Sequence, residues 1–364
     1  MDTLNIIKPA TLQEPFGLRP AKSTNIIEKD FINYSNISHS INPIINNIVI
    51  SSNLNTDEYK PFIEANTHIV DLNHLTNDCI IPVFSKDNEK TIAHQEFINI
   101  TQDCIAKIFP HHSFNQPEIR VSHPIKGRTP DAIYKNVKDL LDHEKTQYYE
   151  RMAFIIKIPT ITDTIKGNEL SLTIGGVRAY NQENLYNKKT FERFKFFIGF
   201  QNKVCCNLCV SSDGLVDDMR VSSYQELQGK ITKALAEYNA EKHLQEMKEL
   251  TDSYLTEHQF AQLLGKARLY QHLSKGEKQR LNIPQLTFND SQLSTVAKDY
   301  YDDESFCRDD AENINLWSVY NLFTQANKSS YIDTFLDRNL NAFEFTKGIQ
   351  KTLNDNSNYH WFLS

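Results

Sequence analysis

The stretch from Arg151 to Val210 limits the fold more than any other part of this chain. It holds three apolar runs of strand character, MAFIIKIPTI, ELSLTIGGVRAY and FKFFIGFQNKVCCNLCV. Leu170, Leu172 and Ile174 alternate with Ser171 and Thr173, the mark of a strand with one buried face. After Gly175-Gly176 the apolar positions move to Val177 and Ala179. Side-chain direction in a strand has period two, so this shift predicts a glycine-accommodated bulge that restores the phase. Arg178 and Tyr180 then lie opposite Val177 and Ala179, either re-aimed toward a partner or solvated at a sheet corner. An exposed Arg178 predicts that Arg178→Glu leaves folding intact and impairs binding. Phe194, Phe196, Ile198 and Phe200 share a face, as do Val204, Cys206, Leu208 and Val210 beyond Gln201-Asn202-Lys203. That run is one long strand or a hairpin with a short polar turn. Lys166-Gly167-Asn168 supplies turn chemistry between the first two runs, and no crossover helix fits there, so the pairing is antiparallel.

Around these strands the patterning is helical. Phe97, Ile100, Cys104 and Ile108 recur at helical spacing between Thr91 and Phe109, and Pro110 stops the helix. Helical stripes continue from Ser223 to about Leu273, where Thr256 and Gln259 read as a capping box. Residues 314–353 read as two packed helices bearing Trp317, Tyr320, Leu322 and Phe323. Residues 61–90 resemble short strands and turns. Residues 1–60 form an irregular arm with at most short strands, such as Ile44 to Ile50. The fold class is therefore α+β: a central antiparallel sheet wrapped by helices, with a mostly helical C-terminal half. Three regions follow: the arm and a small α+β part over 1–117, the sheet over 118–222, and the helical part over 223–364.

Charge separates these regions. The net charge of −7 divides into −5 for residues 1–117, +5 for 118–210 and −7 for 211–364. The strand region is thus the basic centre of an acidic molecule, a layout able to track a phosphate backbone. Within it, EIRVSHPIKGR carries Arg120, His123, Lys126 and Arg128 just before Thr129-Pro130-Asp131. That triplet reads as a helix start, with Ile133, Val137, Leu140 and Leu141 as the buried face. A basic, glycine-containing loop entering a helix is either an anion site or a solvated loop. Lys188 and Lys189 add to the basic set. Acidic residues cluster from Asp299 to Glu312, as a solvated loop, a cation site or a mimic of nucleic-acid charge; the regular ligand spacing of a calcium hand is missing.

Catalytic motifs are not found. Cys205, Cys206 and Cys209 alternate faces in a strand and have no second ligand pair at zinc-finger spacing. Pro130-Asp131 opens like a nuclease motif, but Ile155-Ile156-Lys157 puts Ile where the acid is required. Neither a nucleophile elbow, nor HExxH, nor a dinucleotide fingerprint is present. The expectation is a protein without catalytic residues, bound metal or cofactor. No window approaches the length of a membrane span, the N-terminus lacks a secretory signal, and six scattered cysteines suit a reducing compartment, so the chain is expected in the cytoplasm without membrane contact.

Three segments carry a resemblance: SHPIKGRTPDAIYKN, then LSLTIGGVRAYNQENLY with FFIGFQNKVCCNLCV, and LWSVYNLFTQANKSSYIDTFLDR. They resemble an uncharacterised phage- and plasmid-like family of bacterial mobile elements over roughly Glu118 to Arg338. Among counter-defence proteins the chain is most similar to an anti-CRISPR that disables a type VI RNA-guided RNase. The resemblance implies a non-enzymatic inhibitor of a host CRISPR effector nuclease or its guide RNA. The alternative is a single-stranded nucleic-acid-binding accessory of replication or repair. There Lys126, Arg128, Arg178 and Lys188 would neutralise phosphates while Tyr180 and Phe197 stack bases.

Overall fold

Seven strands build the main sheet. The computed structural model describes residues 60–80, 91–182, 191–355 and 357–364. Residues 1–59 of the arm, including Ile44 to Ile50, lie outside the described residues, as do Lys188 and Lys189. In chain order the elements are β1 (His68–Val70), α1 (Leu72–Asn77), α2 (His94–Ile108), β2 (Glu118–Arg128), β3 (Lys145–Ile165), β4 (Asn168–Ala179), β5 (Glu192–Asn202), β6 (Leu208–Cys209) and β7 (Leu215–Val221). There follow α3 (Tyr224–Glu237), α4 (Ala240–Glu249), β8 (Tyr254–Thr256), α5 (Glu257–His272), α6 (Lys275–Arg280), α7 (Asp290–Asp302), β9 (Asn313–Asn315), α8 (Leu316–Asn327) and α9 (Ile332–Asn354). The main sheet runs β1-β2-β3-β4-β5-β6, with β7 also pairing β5, and every pairing is antiparallel. The fold is α+β with helices filling the C-terminal half.

The β3–β4 hairpin closes through Lys166 and Gly167, whose φ angles of 46° and 81° both lie in the left-handed region. That turn matches the twist of the flanking strands, and glycine adopts the larger angle at no steric cost. The third apolar run is a hairpin: Phe200 pairs Cys209 and Gln201 pairs Leu208. Its turn falls after Asn202, so Cys205 and Cys206 sit in the turn and not in a strand.

The bulge expected at Gly175-Gly176 does not form. Pairing with β5 runs without a register shift from Leu170↔Asn202 to Val177↔Lys195. The apolar phase changes because both faces of the sheet are covered. Leu170, Leu172 and Ile174 face a large core shared with α2, α3, α4 and α8, while Val177, Ala153, Ile155 and Phe197 face a smaller one with Phe62, Phe335 and Leu336. The glycines themselves are slots for aromatic rings. A Cβ on Gly176 would lie 2.4 Å from Phe97, and one on Gly175 would lie 2.1 Å from the Phe154 carbonyl and 2.8 Å from Phe197. The irregularity is on β3 instead, between Ile158 and Thr162.

Helix α9 joins the two cores. Its first turns place Phe335 against Phe62 with ring centroids 6.0 Å apart. Further along, Phe343 packs on His243 at 5.1 Å and Phe345 on Phe323 at 5.5 Å. The capping box of Thr256 and Gln259 opens α5, as the sequence predicts. Among the described residues, no helix is long and apolar enough to cross a membrane.

Candidate functional site

Strand β2 is the stretch expected as a loop. Its residues pair with β3 in unbroken register from Glu118↔Ile155 to Arg128↔Lys145. The neighbouring strands cover only part of that length: β1 pairs β2 no further than Val121, and β4 pairs β3 only from Arg151 onward. Beyond those points β2 and β3 continue as a two-stranded ribbon, from Pro124↔Tyr149 to Arg128↔Lys145. Residues 129–144 close its end, a segment here termed the crest.

The crest is not the helix that Thr129-Pro130-Asp131 predicts. It consists of three isolated 3-10 turns, Pro130–Ala132, Val137–Asp139 and Asp142–Glu144. Arg128 explains part of this. Its guanidinium donates to the carbonyl oxygens of Ile133 and Lys135, which a continuing helix would give to backbone N–H groups. The intended apolar face also has no core within reach. Ile133, Val137 and Leu141 are exposed, and Tyr134 is 98 % exposed. Fourteen large apolar or aromatic side chains are exposed among the described residues, and five of them (these four and Ile125) fall within residues 125–141. Such clustering marks contact surfaces, whereas scattered exposed apolar residues carry no message.

Internal bonds fix the crest. The Thr129 N–H donates to the Glu144 carbonyl at 2.9 Å, and the Leu141 N–H donates to the Glu144 carboxylate at 2.9 Å. Lys135 forms an ion pair with the same carboxylate, and Lys145 pairs with Asp142 at 2.7 Å. The Lys135 contact and the Leu141 bond together hold the Glu144 carboxyl below its usual range. A cleft of about 690 Å³ lies beside the crest, walled by Cys79, Ile80, Lys126, Val137, Leu140 and His143.

The expected site residues do not form one surface. His123 and Lys126 are exposed on the ribbon and Arg128 is half-buried there. His123 adopts a left-handed φ of 56°, with its ring 3.0 Å from the Ser122 hydroxyl. Arg120 is buried within the sheet. Arg178 is buried on the other face: Arg120 pairs with Ala153 and Arg178 with Met152, and successive residues of β3 point to opposite sides. Arg178 is 0 % exposed and ion-paired to Glu192, with its guanidinium 4.6 Å from the Tyr180 ring centre and 4.4 Å from that of Phe194. Glu192 in turn accepts from the Ile92 N–H at 3.0 Å. Tyr180 is buried and stacked on His94 at 4.5 Å, and Phe197 is buried in the smaller core. The solvated or re-aimed Arg178 is therefore corrected to a core ion pair. Glu192 was missed because it lies beyond a chain reversal that no short motif announces.

Other clusters of chemistry-bearing groups read as structural ties. Lys195 on β5 meets Asp217 on β7 at 2.7 Å and Asp337 on α9 at 2.6 Å. Burial and the neighbouring Asp217 push the Asp337 carboxyl up to about 6, while Asp217 is lowered by Lys195 against its own desolvation. In the acidic segment, Asp303 accepts from the N–H groups of Ser305 and Phe306, and Asp309 from those of Ala311 and Asn313. Burial pushes the Cys205 thiol up to about 11 and Cys209 higher still, which keeps both protonated. Among the described residues no three metal-ligating side chains converge. A polar cavity of about 110 Å³ lies between Lys166, Ser305, Asp309 and Trp317.

No curated protein and no solved structure matches this chain. Residues 44–363 match a family of otherwise undescribed role, and the chain belongs to it: DUF3871, "Domain of unknown function, B. Theta Gene description".

Proposed function

We propose that this chain is a non-enzymatic binding protein that docks on a host nucleoprotein effector by means of the ribbon crest. The crest carries the reading: a projecting segment holds four exposed apolar side chains, with Ile125 beside them on the ribbon, in a conformation fixed by its own bonds. Pre-organised apolar projections favour association, because little order is lost on binding. The finer assignment rests on the resemblance alone: a counter-defence protein of a phage, plasmid or integrated element, acting on a type VI RNA-guided RNase or its guide RNA. Six free thiols fit action in the cytoplasm. The second reading, a single-stranded nucleic-acid accessory, is favoured by exposed His123 and Lys126 on the same ribbon.

Affinity capture of the tagged full chain from its host, with and without nuclease, tests the proposal. Retention of one large effector after nuclease is expected. Recovery that vanishes with nuclease would transfer the assignment to the accessory reading.

A further inference from the structure

We infer that the crest makes its contact with protein, seating Tyr134 in an apolar pocket of the partner, and not with a nucleic-acid backbone. This rests on the docking reading above and decides the chemistry of its contact.

Charge is the first argument. A surface that tracks phosphates needs uncommitted cations in excess. On the crest and ribbon the cations are largely used internally: Arg128 on two carbonyls, Lys135 on Glu144, and Lys145 on Asp142. Lys126 and Lys138 remain exposed, and Asp131 and Asp139 are exposed within the same segment. Arg128 keeps its charge on those neutral carbonyls, so residues 126–145 carry five cations against four carboxylates, a net charge of only +1. The basic character of the strand region does not extend to its projecting tip.

Side-chain type is the second argument. Tyr134 is almost wholly solvated, and Val137 three residues on is 70 % exposed. Tyrosine combines a large apolar face with a hydroxyl and few rotatable bonds, which is why it dominates protein contacts. The aromatic rings expected to stack bases, Tyr180 and Phe197, are both buried. A partner with an apolar pocket and a mixed polar rim matches what the crest presents.

The experiment is capture by the full chain after nuclease treatment, with a photo-crosslinking amino acid in place of Tyr134 and two variant pairs alongside. Tyr134→Ala with Val137→Ser is expected to weaken capture about tenfold or more. Lys126→Glu with Lys138→Glu is expected to leave it unchanged, and the crosslink is expected to fall on the captured protein. All four positions are exposed, and thermal melting confirms that each variant is folded. Loss with the charge pair alone overturns the protein contact while leaving the docking reading standing. Capture that requires nucleic acid, or no effect of either pair, overturns both, the first in favour of the accessory reading. A crosslink to a second copy of the chain overturns it by putting another occupant on the crest. Recovery of no partner under any condition removes both.

Discussion

Arg178 shows how a single residue can be placed correctly and still be misread. Its position opposite Val177 follows from period two alone, but its environment depends on Glu192, fourteen residues away. A buried pair with both charges satisfied is tolerated; a buried charge without its partner costs about 3–5 kcal/mol. Arg178→Glu is therefore expected to lower the urea midpoint severely, because it sets two carboxylates together in the core, whereas an exposed arginine would change it hardly at all. Gly176→Ala tests the neighbouring slot. Its methyl would meet Phe97 inside van der Waals contact, and overpacking of that kind costs about 1–3 kcal/mol. A wild-type melting temperature in Gly176→Ala would mean that Phe97 does not lie on the sheet there. The two glycines were visible in the sequence as an interruption. That they admit rings from both sides was not, since nothing local states that a sheet is covered twice.

At the scale of elements, local signals succeeded where a core could enforce them. The spacing of Phe97, Cys104 and Ile108 gives α2, and the Thr256–Gln259 box gives the start of α5, because each helix buries the face its pattern marks. The same helical signals at Thr129-Pro130-Asp131 fail because the ribbon carries them beyond the sheet, where Ile133 and Val137 find nothing to pack on. Strand β2 was missed for the converse reason. Its Pro, Gly and basic residues read as a loop, and only the partner strand β3 makes them extended. These edge residues also protect a ribbon from pairing with other chains. The attachment of α9 to the sheet gives a further prediction. One ammonium, Lys195, serves two carboxylates, Asp217 and Asp337. Asp337 is raised to about 6 in the folded chain against roughly 3.9 for a free side chain, so the folded state binds the extra proton between those values. Its contribution is complete below about pH 4 and is lost as pH rises through 6. Asp337→Asn removes that titration. The stability of wild type relative to the variant should fall by on the order of 1 kcal/mol from pH 4.5 to 7, a figure reduced for the partial exposure of the group. A constant difference across that range would rule the raised Asp337 carboxyl out.

Across the whole molecule, two histidines far apart in the fold set the response to acid. His94, at the start of α2, is buried beneath Tyr180 with its Nε2 2.9 Å from the Tyr149 carbonyl. His243, on α4, lies among Phe200, Phe343 and Tyr238, with its Nδ1 2.7 Å from the Tyr238 hydroxyl. Burial lowers each to about 3, helped at His94 by the Arg178 charge and at His243 by Lys347, so both are neutral in the folded chain at any moderate pH. In the unfolded chain each titrates near 6.5. The unfolded state therefore binds more protons below that value, and stability rises with pH. The contribution is fully present above about 6.5 and is lost progressively toward 3. Each histidine adds a slope of up to about 1.4 kcal/mol per pH unit, and Asp337 opposes them between about 4 and 6. The Asp337→Asn background separates the two effects. Urea unfolding in that background between pH 4.5 and 7 should show stability falling steeply with acid. Adding His94→Gln and His243→Gln should flatten most of the slope, whatever their effect on absolute stability. A slope that survives both replacements would assign the acid response to other groups. A single replacement is expected to remove about half of it, because both histidines lie against the same large core.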